Sequence, residues 1–312
     1  MRILVTGGAG FIGSHVAELF VQEGHRVLVV DDLSSGHRDN LPGGAAFELM
    51  DIRDQEFADL VLRFRPEAVA HLAAQMDVRK SVADPILDAD INVLGVIRLA
   101  QACRRAGTRR ILFSSTGGAI YGEQEVFPAT EEHACRPVSP YGTSKRCGEI
   151  YLDLFGRTGG PTCICLRYAN VYGPRQDPHG EAGVVAIFAG RLLRGEAPVV
   201  FGDGTQTRDY VYVDDVARAN LLALECETTG VAINIGTGVE TDVNTLAARM
   251  AAICGFAGEP VHRPARPGEQ SRSVIDPARA AALLGWTPAT GLDTGLDATV
   301  AYFRSRRKQR SH

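Results

Sequence analysis

Short runs of β-branched and aliphatic residues alternate with longer amphipathic stretches through the first half of the chain. The apolar runs predict six strands, at 3–6, 26–30, 46–50, 68–72, 110–114 and 162–168. The stretches with a helical spacing of apolar positions are long enough to cross between parallel strands, and they lie at 12–23, 54–64, 86–106 and 142–157. This alternation predicts an α/β fold with a parallel sheet covered by helices.

The second half of the chain is less regular. Clusters of glycine and proline interrupt the periodic pattern around 173–183, 195–205 and 255–268. We therefore expect a smaller α/β domain of short elements and loops, interleaved with the first. The larger domain is expected to comprise residues 1–172, with a return of the chain to it at about 206–236, and the smaller domain to comprise 173–205 and 237–312.

Composition narrows the class of protein. The 312 residues are 45% hydrophobic and carry a formal net charge of −4, so they suit a globular core and give no basic field for nucleic acid. No apolar run approaches the roughly 20 residues of a membrane span, and the first one breaks at Gly7, so neither a membrane partner nor a signal peptide is expected. Seven cysteines without CxxC spacing are expected to be reduced thiols in the cytoplasm, and no metal site is predicted.

A glycine-rich turn, GGAGFIG (7–13), follows the first predicted strand and opens the first helix. Its glycines permit a tight turn and a close approach of the backbone to a pyrophosphate, which the helix N-terminus then faces. Asp31 lies 18 residues beyond the last of these glycines, where a carboxylate accepts hydrogen bonds from a ribose but repels a 2′-phosphate. No arginine lies near Asp31 before Arg38. The predicted cofactor is NAD rather than NADP, and the turn residues expected at it are Gly7, Gly10, Phe11, Ile12 and Gly13.

Two further strand ends are candidates for the cofactor site. Asp51 and Ile52 end the third strand, where Asp51 is either a ligand of the adenine amino group or a surface turn acid. Small residues follow His71 at the end of the fourth strand and would let the backbone approach the cofactor, namely Leu72, Ala73 and Ala74. His71 itself is interpreted as a core histidine.

Tyr141 and Lys145 supply the candidate chemistry. Residues four apart on a helix lie on the same face, one turn from each other. An ammonium group there is expected to lower the phenol pKa from its ordinary value of about 10, which would make Tyr141 a general base near neutral pH. Three consecutive hydroxyls end the fifth strand about 25 residues earlier, and one of them is positioned to bind the substrate oxygen. With a dinucleotide site, this pattern indicates redox chemistry.

Ten ordered motifs extend the pattern over nearly the whole length. They are TGGAGFIGSH (6–15), Asp31, HLAAQ (71–75), Asn92, SSTGGAIYGE (114–123), SPYGTSK (139–145), LRYANVYGPRQ (166–176), GDGTQTRDYVYVDD (202–215), NIGTG (234–238) and RPGE (266–269). Through them the chain resembles the extended short-chain dehydrogenase/reductases of the NAD-dependent epimerase/dehydratase type, and within them the UDP-glucose 4-epimerases. The resemblance implies a Rossmann-type doubly wound parallel sheet, bound NAD, a UDP-sugar substrate and a homodimer that pairs the helices near 86–106 and 142–157.

The resemblance also implies roles for residues that match its motifs. Thr116 takes the place of the catalytic serine or threonine, Tyr141 is the base and Lys145 binds the nicotinamide ribose. The further cofactor-binding residues are Asn92, Ser114 and Tyr168. The substrate-binding residues are Ser115, Thr116, Asn170, Arg208, Arg266, Glu269 and Ser273, with the two arginines on the diphosphate and Glu269 on the uridine ribose. An extra residue in SSTGGAIYG, relative to the SSSATVYG of many epimerases, leaves open whether Ser115 or Thr116 faces the sugar.

The implied activity is that of an isomerase that interconverts UDP-glucose and UDP-galactose through a 4-keto intermediate. A small residue at Ser273, four positions after Glu269, implies room for N-acetylated sugars as well. The alternatives are a 4-epimerase or a decarboxylase acting on UDP-glucuronate, a 4,6-dehydratase and a non-enzymatic NAD-binding sensor. A dehydratase carries an Asp-Glu pair where this chain has Gly117 and Gly118, and a sensor has no need of a base.

Overall fold

The computed structural model describes residues 1–178, 183–265 and 270–310. Its largest element is a sheet of seven parallel strands. The strands are β1 (Arg2–Thr6), β2 (Arg26–Asp31), β3 (Ala46–Leu49), β4 (Ala68–His71), β5 (Arg110–Thr116), β6 (Thr162–Tyr168) and β10 (Val231–Ile235). Their order is β3-β2-β1-β4-β5-β6-β10, so the direction of winding reverses between β1 and β4. The predicted Rossmann-type doubly wound fold is confirmed, with each of the six predicted strands in place.

Helices cover both faces of this sheet. They are α1 (Phe11–Gln22), α2 (Gln55–Phe64), α3 (Val78–Ala83), α4 (Pro85–Ala89), α5 (Gly95–Ala106), α6 (Pro140–Arg157), α8 (Val213–Glu225) and α10 (Ala278–Leu284). Side chains alternate along each strand, so β1 buries Ile3 and Val5 under α1 and α8 but buries Leu4 on the opposite face, with α2 and α5. Both faces of the sheet are therefore apolar, which explains the nearly continuous apolar runs in the sequence.

The predicted helix at 86–106 is divided in the structure. Its first part is α4, where Pro85 takes the first helical position and the Asp84 side chain accepts a hydrogen bond from the Leu87 N–H group. A π-helical turn at Asp90–Leu94 separates α4 from α5. π-Turns are rare and often occur at functional sites, and this one carries Asn92.

The smaller part of the molecule has its own core. Strand β9 (Thr207–Tyr212) pairs with β7 (Asn170–Tyr172), β11 (Glu240–Asp242) and β13 (Arg272–Ser273), and β8 (Val199–Phe201) pairs with β12 (Val261–Arg263). Three helices pack around them: α7 (Val184–Leu193), α9 (Val243–Cys254) and α11 (Leu292–Arg310). Phe188, Leu246 and Leu296 are buried at the centre.

The chain passes between the two parts more than once. Strands β7 and β9 pair in the smaller sheet, whereas α8, which begins at Val213, packs on α1 of the larger part, and the expected domain boundaries stay a prediction. Among the described residues, no helix has the length and apolar character needed to cross a membrane.

Candidate active site

The glycine-rich turn between β1 and α1 packs tightly on the end of β4. Gly7 has a φ of 72°, and a Cβ atom on it would lie 2.5 Å from the backbone nitrogen of Ala73. A Cβ atom on Gly13 would lie 2.1 Å from the carbonyl oxygen of Gly7. Only glycine fits at either position, as the sequence predicted. Among the described residues, no side chain caps the N-terminus of α1 at Gly10, so its first N–H groups remain available to an anion.

Asp31 ends β2 beside this turn. Its two carboxylate oxygens accept hydrogen bonds from the N–H groups of Ala9 (2.9 Å) and Leu33 (2.8 Å). Burial raises the pKa of Asp31, and these two hydrogen bonds oppose the shift. Each oxygen retains a second lone pair for a ribose hydroxyl. The close glycine turn, the uncapped helix and this carboxylate fit the pyrophosphate and the adenosine ribose of NAD.

The other predicted cofactor residues lie around the same sheet edge. The three small or aliphatic residues that follow β4 are half-buried, namely Leu72, Ala73 and Ala74. The first turn of α1 also contains two half-buried residues, Phe11 and Ile12. Ile52 is buried in the core.

Asp51 lies two residues beyond the end of β3, and Arg53 binds its carboxylate with Nε at 3.0 Å from both oxygens. That pairing lowers the pKa of Asp51, so the acid is largely neutralised by a protein partner.

Tyr141 and Lys145 lie one turn apart in the first half of α6. The helix begins at Pro140 after the Ser139 side chain, which accepts a hydrogen bond from the Gly142 N–H group. The Lys145 side chain is buried, and its Nζ atom donates a hydrogen bond of 2.8 Å to the carbonyl oxygen of Ser114. The same Nζ atom lies 4.9 Å from the centroid of the Phe113 ring and 5.9 Å from that of Tyr141. The sequence-predicted pair is therefore brought together with the end of β5.

The pKa of Tyr141 is shifted opposite to the expected direction, and burial is the largest cause of the shift in both members of the pair. Burial raises the pKa of the Tyr141 phenol, and the negative charge of Asp88 raises it further. Burial lowers the pKa of Lys145 to about 8, against the opposing effects of Asp88 and Glu149. The expected lowering of the phenol pKa by the ammonium group is overcome by burial. His71 is buried and neutral, since burial and Lys145 lower its pKa to about 3.

The three hydroxyls at the end of β5 do not share one environment. Ser115 is buried and donates a hydrogen bond of 2.7 Å to Glu149 of α6. Thr116 is half-buried, and the alternation of side chains along a strand places it on the opposite side from Ser115. Thr116 and Asn170 both lie close to Gly118: a Cβ atom on Gly118 would be 3.9 Å from Thr116 Oγ1 and 3.6 Å from Asn170 Oδ1. The structure therefore brings Thr116, and not Ser115, together with Asn170. The expected contact of Ser115 with substrate does not fit this placement, since its hydroxyl is bound to Glu149.

A buried ion pair holds α6 on the sheet behind these residues. Arg167 of β6 binds Glu149 with two hydrogen bonds, of 2.9 and 2.7 Å, and both side chains are almost fully buried. Arg167 also donates to the hydroxyl of Tyr121, which donates in turn to Asn234 of β10. Because removing one partner would leave a buried charge unpaired, this arrangement fixes the helix firmly against the sheet.

Two predicted cofactor residues are occupied by protein partners. The Asn92 carboxamide oxygen accepts from the Gln75 N–H group, and its nitrogen donates to the Gln75 carbonyl and to Asp88. The Tyr168 hydroxyl is buried and pairs with Asn220 of α8. The polar atoms of both side chains are therefore bound to other residues of the protein.

The predicted substrate residues lie in the smaller sheet. Arg208 of β9 is in register with Ser273 of β13, which is buried. Arg208 donates a hydrogen bond of 2.7 Å to the carbonyl of Thr207. Arg266 and Glu269 lie outside the described residues.

Sequence reasoning missed Asp88, whose charge acts on both Tyr141 and Lys145, and Glu149, whose charge acts on Lys145. Asp88 precedes Asn92 by one helical turn, and Glu149 follows Lys145 by one turn. That i, i+4 spacing placed each of them on the same helix face as a residue already singled out, so the signal was present in the sequence.

The fold and this arrangement are those of a known family. The chain belongs to the NAD dependent epimerase/dehydratase family, whose model it matches over residues 3–236. It is 45% identical to the UDP-glucose 4-epimerase of Mycolicibacterium smegmatis over 311 residues, which cover 98% of this chain and 99% of that protein.

Two solved structures are similar throughout. The UDP-glucose 4-epimerase of Thermotoga maritima with UDP-glucose has a TM-score of 0.96 and 50% identity, over 98% of this chain and 100% of that one. The UDP-glucose 4-epimerase of Thermus thermophilus in complex with NAD has a TM-score of 0.91 and 47% identity, over 97% of this chain and 99% of that one.

Proposed function

We propose that this protein is an NAD-dependent isomerase that interconverts UDP-glucose and UDP-galactose through a 4-keto intermediate. The observation that carries the proposal is the placement of Tyr141 and Lys145 against the end of β5, at the same edge of the parallel sheet as a glycine turn that fits a dinucleotide. The similarity to UDP-glucose 4-epimerases over nearly the full length supports it.

Tyr141 is proposed as the base and Thr116 as the hydroxyl that orients the reacting oxygen. Tyr141 takes the proton of the sugar 4-hydroxyl as the hydride leaves C4, and it returns the proton when hydride is added to the other face of the ketone. Lys145 stabilises the phenolate, and its bond to Ser114 holds it in place. When bound, NAD supplies the hydride acceptor and a positive nicotinamide charge that favours the phenolate.

The proposed substrate site lies between the large sheet and the smaller one. Asn170, Arg208 and Ser273 belong to strands of the smaller sheet, and Asn170 lies beside Thr116. Arg208 is suited to the diphosphate because guanidinium groups bind phosphate in a bidentate manner. The roles of Arg266 and Glu269 are carried by the resemblance of their motif. We assign the large sheet to the cofactor and the smaller part to the nucleotide sugar.

The decisive experiment incubates the purified protein, without added NAD, separately with UDP-glucose, UDP-N-acetylglucosamine and UDP-glucuronate and identifies the products by NMR. We expect UDP-galactose from the first, with no net change in absorbance at the NADH band. A 4-keto-6-deoxy sugar would indicate a dehydratase, a pentose would indicate a decarboxylase and stoichiometric NADH would indicate a dehydrogenase. Each of these results would overturn the proposal.

We also propose that the protein is a homodimer. Large apolar side chains are exposed on adjacent helices, including Ile86 of α4, which is 82% exposed, and Ile150 and Leu154 of α6. They lie on a different face of α6 from Lys145 and Glu149, which point into the protein. Sedimentation at micromolar concentration is expected to show a dimer that becomes a monomer in the Ile150→Glu/Leu154→Glu variant. Val239→Glu, at an exposed apolar residue elsewhere, is the matched control.

A cytoplasmic location is proposed from the cysteines. All seven are free thiols, and Cys103, Cys163, Cys165 and Cys226 are buried. Reduced thiols in this number are typical of a reducing compartment. Fractionation of cells with an antibody against the chain tests this proposal.

A further inference from the structure

Asp88 belongs to α4, which packs against the helix that carries Tyr141 and Lys145, and one of its carboxylate oxygens has no hydrogen-bond partner among the described residues. The side chain is fully buried near the end of α4. Its Oδ1 atom accepts hydrogen bonds from the side-chain amides of Gln75 (3.0 Å) and Asn92 (2.9 Å). Its Oδ2 atom is also buried and has no hydrogen-bond partner in the part of the chain that the structure describes. A buried carboxylate oxygen without a partner is costly, so packing alone does not account for an acid at this position.

Asp88 is the charged group that affects the pKa of both Tyr141 and Lys145. Helix α4 packs against α6, and the negative charge of Asp88 raises the pKa of Tyr141 and of Lys145. His71 of β4 faces Lys145 but is neutral, because burial lowers its pKa to about 3. Glu149 also acts on Lys145, but Arg167 and Arg146 neutralise it.

We propose that Asp88 is a positioning residue of the reaction, a buried counter-charge that keeps Lys145 cationic between apolar rings and sets how tightly the Tyr141 phenol holds its proton. Gln75 and Asn92 hold the carboxylate in place for this purpose, which gives a role to the carboxamide of Asn92 inside the protein. The catalytic part of the inference rests on the proposed function, in which Tyr141 is the base. The electrostatic part concerns only this chain's own residues.

The electrostatic part is tested by titrating Lys145 directly. The chain has three lysines, Lys80, Lys145 and Lys308, so ¹³C-lysine labelling gives three side-chain signals, and Lys145→Arg identifies the one of interest. In the wild type we expect a pKa of about 8 for Lys145. Asp88→Asn removes the charge at constant shape and is expected to lower the midpoint by about one pH unit. The matched control is Asp90→Asn, which removes a carboxylate two residues away that faces Arg53 and Arg98.

The catalytic part is tested by the pH dependence of kcat on UDP-glucose. Loss of a negative charge favours the phenolate and disfavours the ammonium, so both limbs of the profile are expected to move to lower pH in Asp88→Asn. A purely structural role would lower kcat at all pH values without moving the limbs. If Asp88→Asn is unstable, the smaller neutral variant Asp88→Ser is measured in the same way.

An unchanged Lys145 midpoint in Asp88→Asn, equal to that in Asp90→Asn, would overturn the inference. The NMR titration needs no substrate, so it is independent of the proposed activity. A protein without epimerase activity whose Lys145 midpoint still falls would remove the proposed function and retain the counter-charge. If the wild type has full epimerase activity, but Asp88→Asn moves neither the Lys145 midpoint nor the limbs of the pH profile, the proposed function is retained and the counter-charge role of Asp88 is refuted.

Discussion

The Nζ atom of Lys145 donates a hydrogen bond of 2.8 Å to the carbonyl oxygen of Ser114, which joins the first half of α6 to the end of β5. Two successive elements, separated by a long loop, are thereby fixed at one point. Tyr141 belongs to this helix, one turn before Lys145, and Thr116 belongs to this strand, two residues after Ser114. In the proposed mechanism Tyr141 is the base and Thr116 the orienting hydroxyl, and this hydrogen bond ties their two elements together.

Tyr141→Phe is expected to lower epimerisation by about 10²-fold or more, because it removes the proton acceptor and preserves the packing of the ring. Thermal unfolding and the content of bound NAD are expected to stay near those of the wild type. Tyr151→Phe makes the same change at a partly exposed position of the same helix and serves as the control. Turnover of Tyr141→Phe within a few-fold of the wild type would show that the base is another group.

Thr116→Ala and Ser115→Ala are expected to act on different properties. Thr116→Ala removes a hydrogen bond to the reacting oxygen, so kcat falls by less than in Tyr141→Phe and the free energy of unfolding is preserved. Ser115→Ala removes a donor from Glu149, so the free energy of unfolding falls by about 2 kcal/mol and kcat changes little. Denaturant unfolding and steady-state kinetics on both variants separate these effects. A larger loss of kcat in Ser115→Ala would transfer the role to Ser115.

Asp31→Asn is expected to weaken NAD binding and to narrow the preference for NAD over NADP. The neutral amide has one acceptor oxygen, so it can bind the N–H group of either Ala9 or Leu33 but not both as the carboxylate does. It also no longer repels a 2′-phosphate. Calorimetric titration of both cofactors measures the change, with Asp32→Asn as a neighbouring control at an exposed position. Wild-type protein that purifies with NADP would contradict the assignment.

Ser273→Tyr is expected to remove activity on UDP-N-acetylglucosamine and to spare activity on UDP-glucose. Ser273 is buried and in register with Arg208, and in the proposed substrate site a ring at this position is expected to narrow the space for an N-acetyl group. Ser271→Tyr, two residues earlier and exposed, is the control for a bulky change in the same segment. Equal loss of both activities, or no activity of the wild type on the N-acetyl sugar, would refute this prediction.

His71 is expected to make the fold sensitive to acid. Its pKa is about 3 in the folded chain against about 6.5 when unfolded, so the unfolded state binds a proton that the folded state refuses. The contribution of neutral His71 to the free energy of unfolding is fully present above about pH 6.5, and it is lost as the pH falls from there towards 3. Between pH 7.5 and pH 5 this group lowers the free energy of unfolding by about 2 kcal/mol. Urea unfolding of the wild type and His71→Asn at both pH values should show a smaller decrease in the variant.

The sequence predicted the large sheet because its strands are buried on both faces and read as apolar runs. It predicted one helix over 86–106, whereas the structure has a π-turn at Asp90–Leu94, in which Asn92 binds Gln75 through a contact that no local pattern reveals. The short strands of the smaller sheet, such as β13 with Arg272 and Ser273, are too brief for a periodic signal.

The candidate site was predicted in its residue types more fully than in its electrostatics. The helical spacing of Tyr141 and Lys145 placed them together correctly. Period-2 alternation separates Ser115 from Thr116, but which of them faces inward depends on Glu149 of a distant helix. The direction of the Tyr141 pKa depends on burial, which no local pattern reveals.

Strand β10 pairs with β6 at the edge of the large sheet, although the whole of β7, α7, β8, β9 and α8 is made between them. During synthesis, the backbone N–H and C=O groups on that side of β6 therefore have no strand partner until residues 231–235 leave the ribosome. Until then β6 is an open sheet edge, to which another nascent chain can add a strand. The pairing of β6 is therefore complete once residues 231–235 have emerged, before the last helices of the smaller part are synthesised.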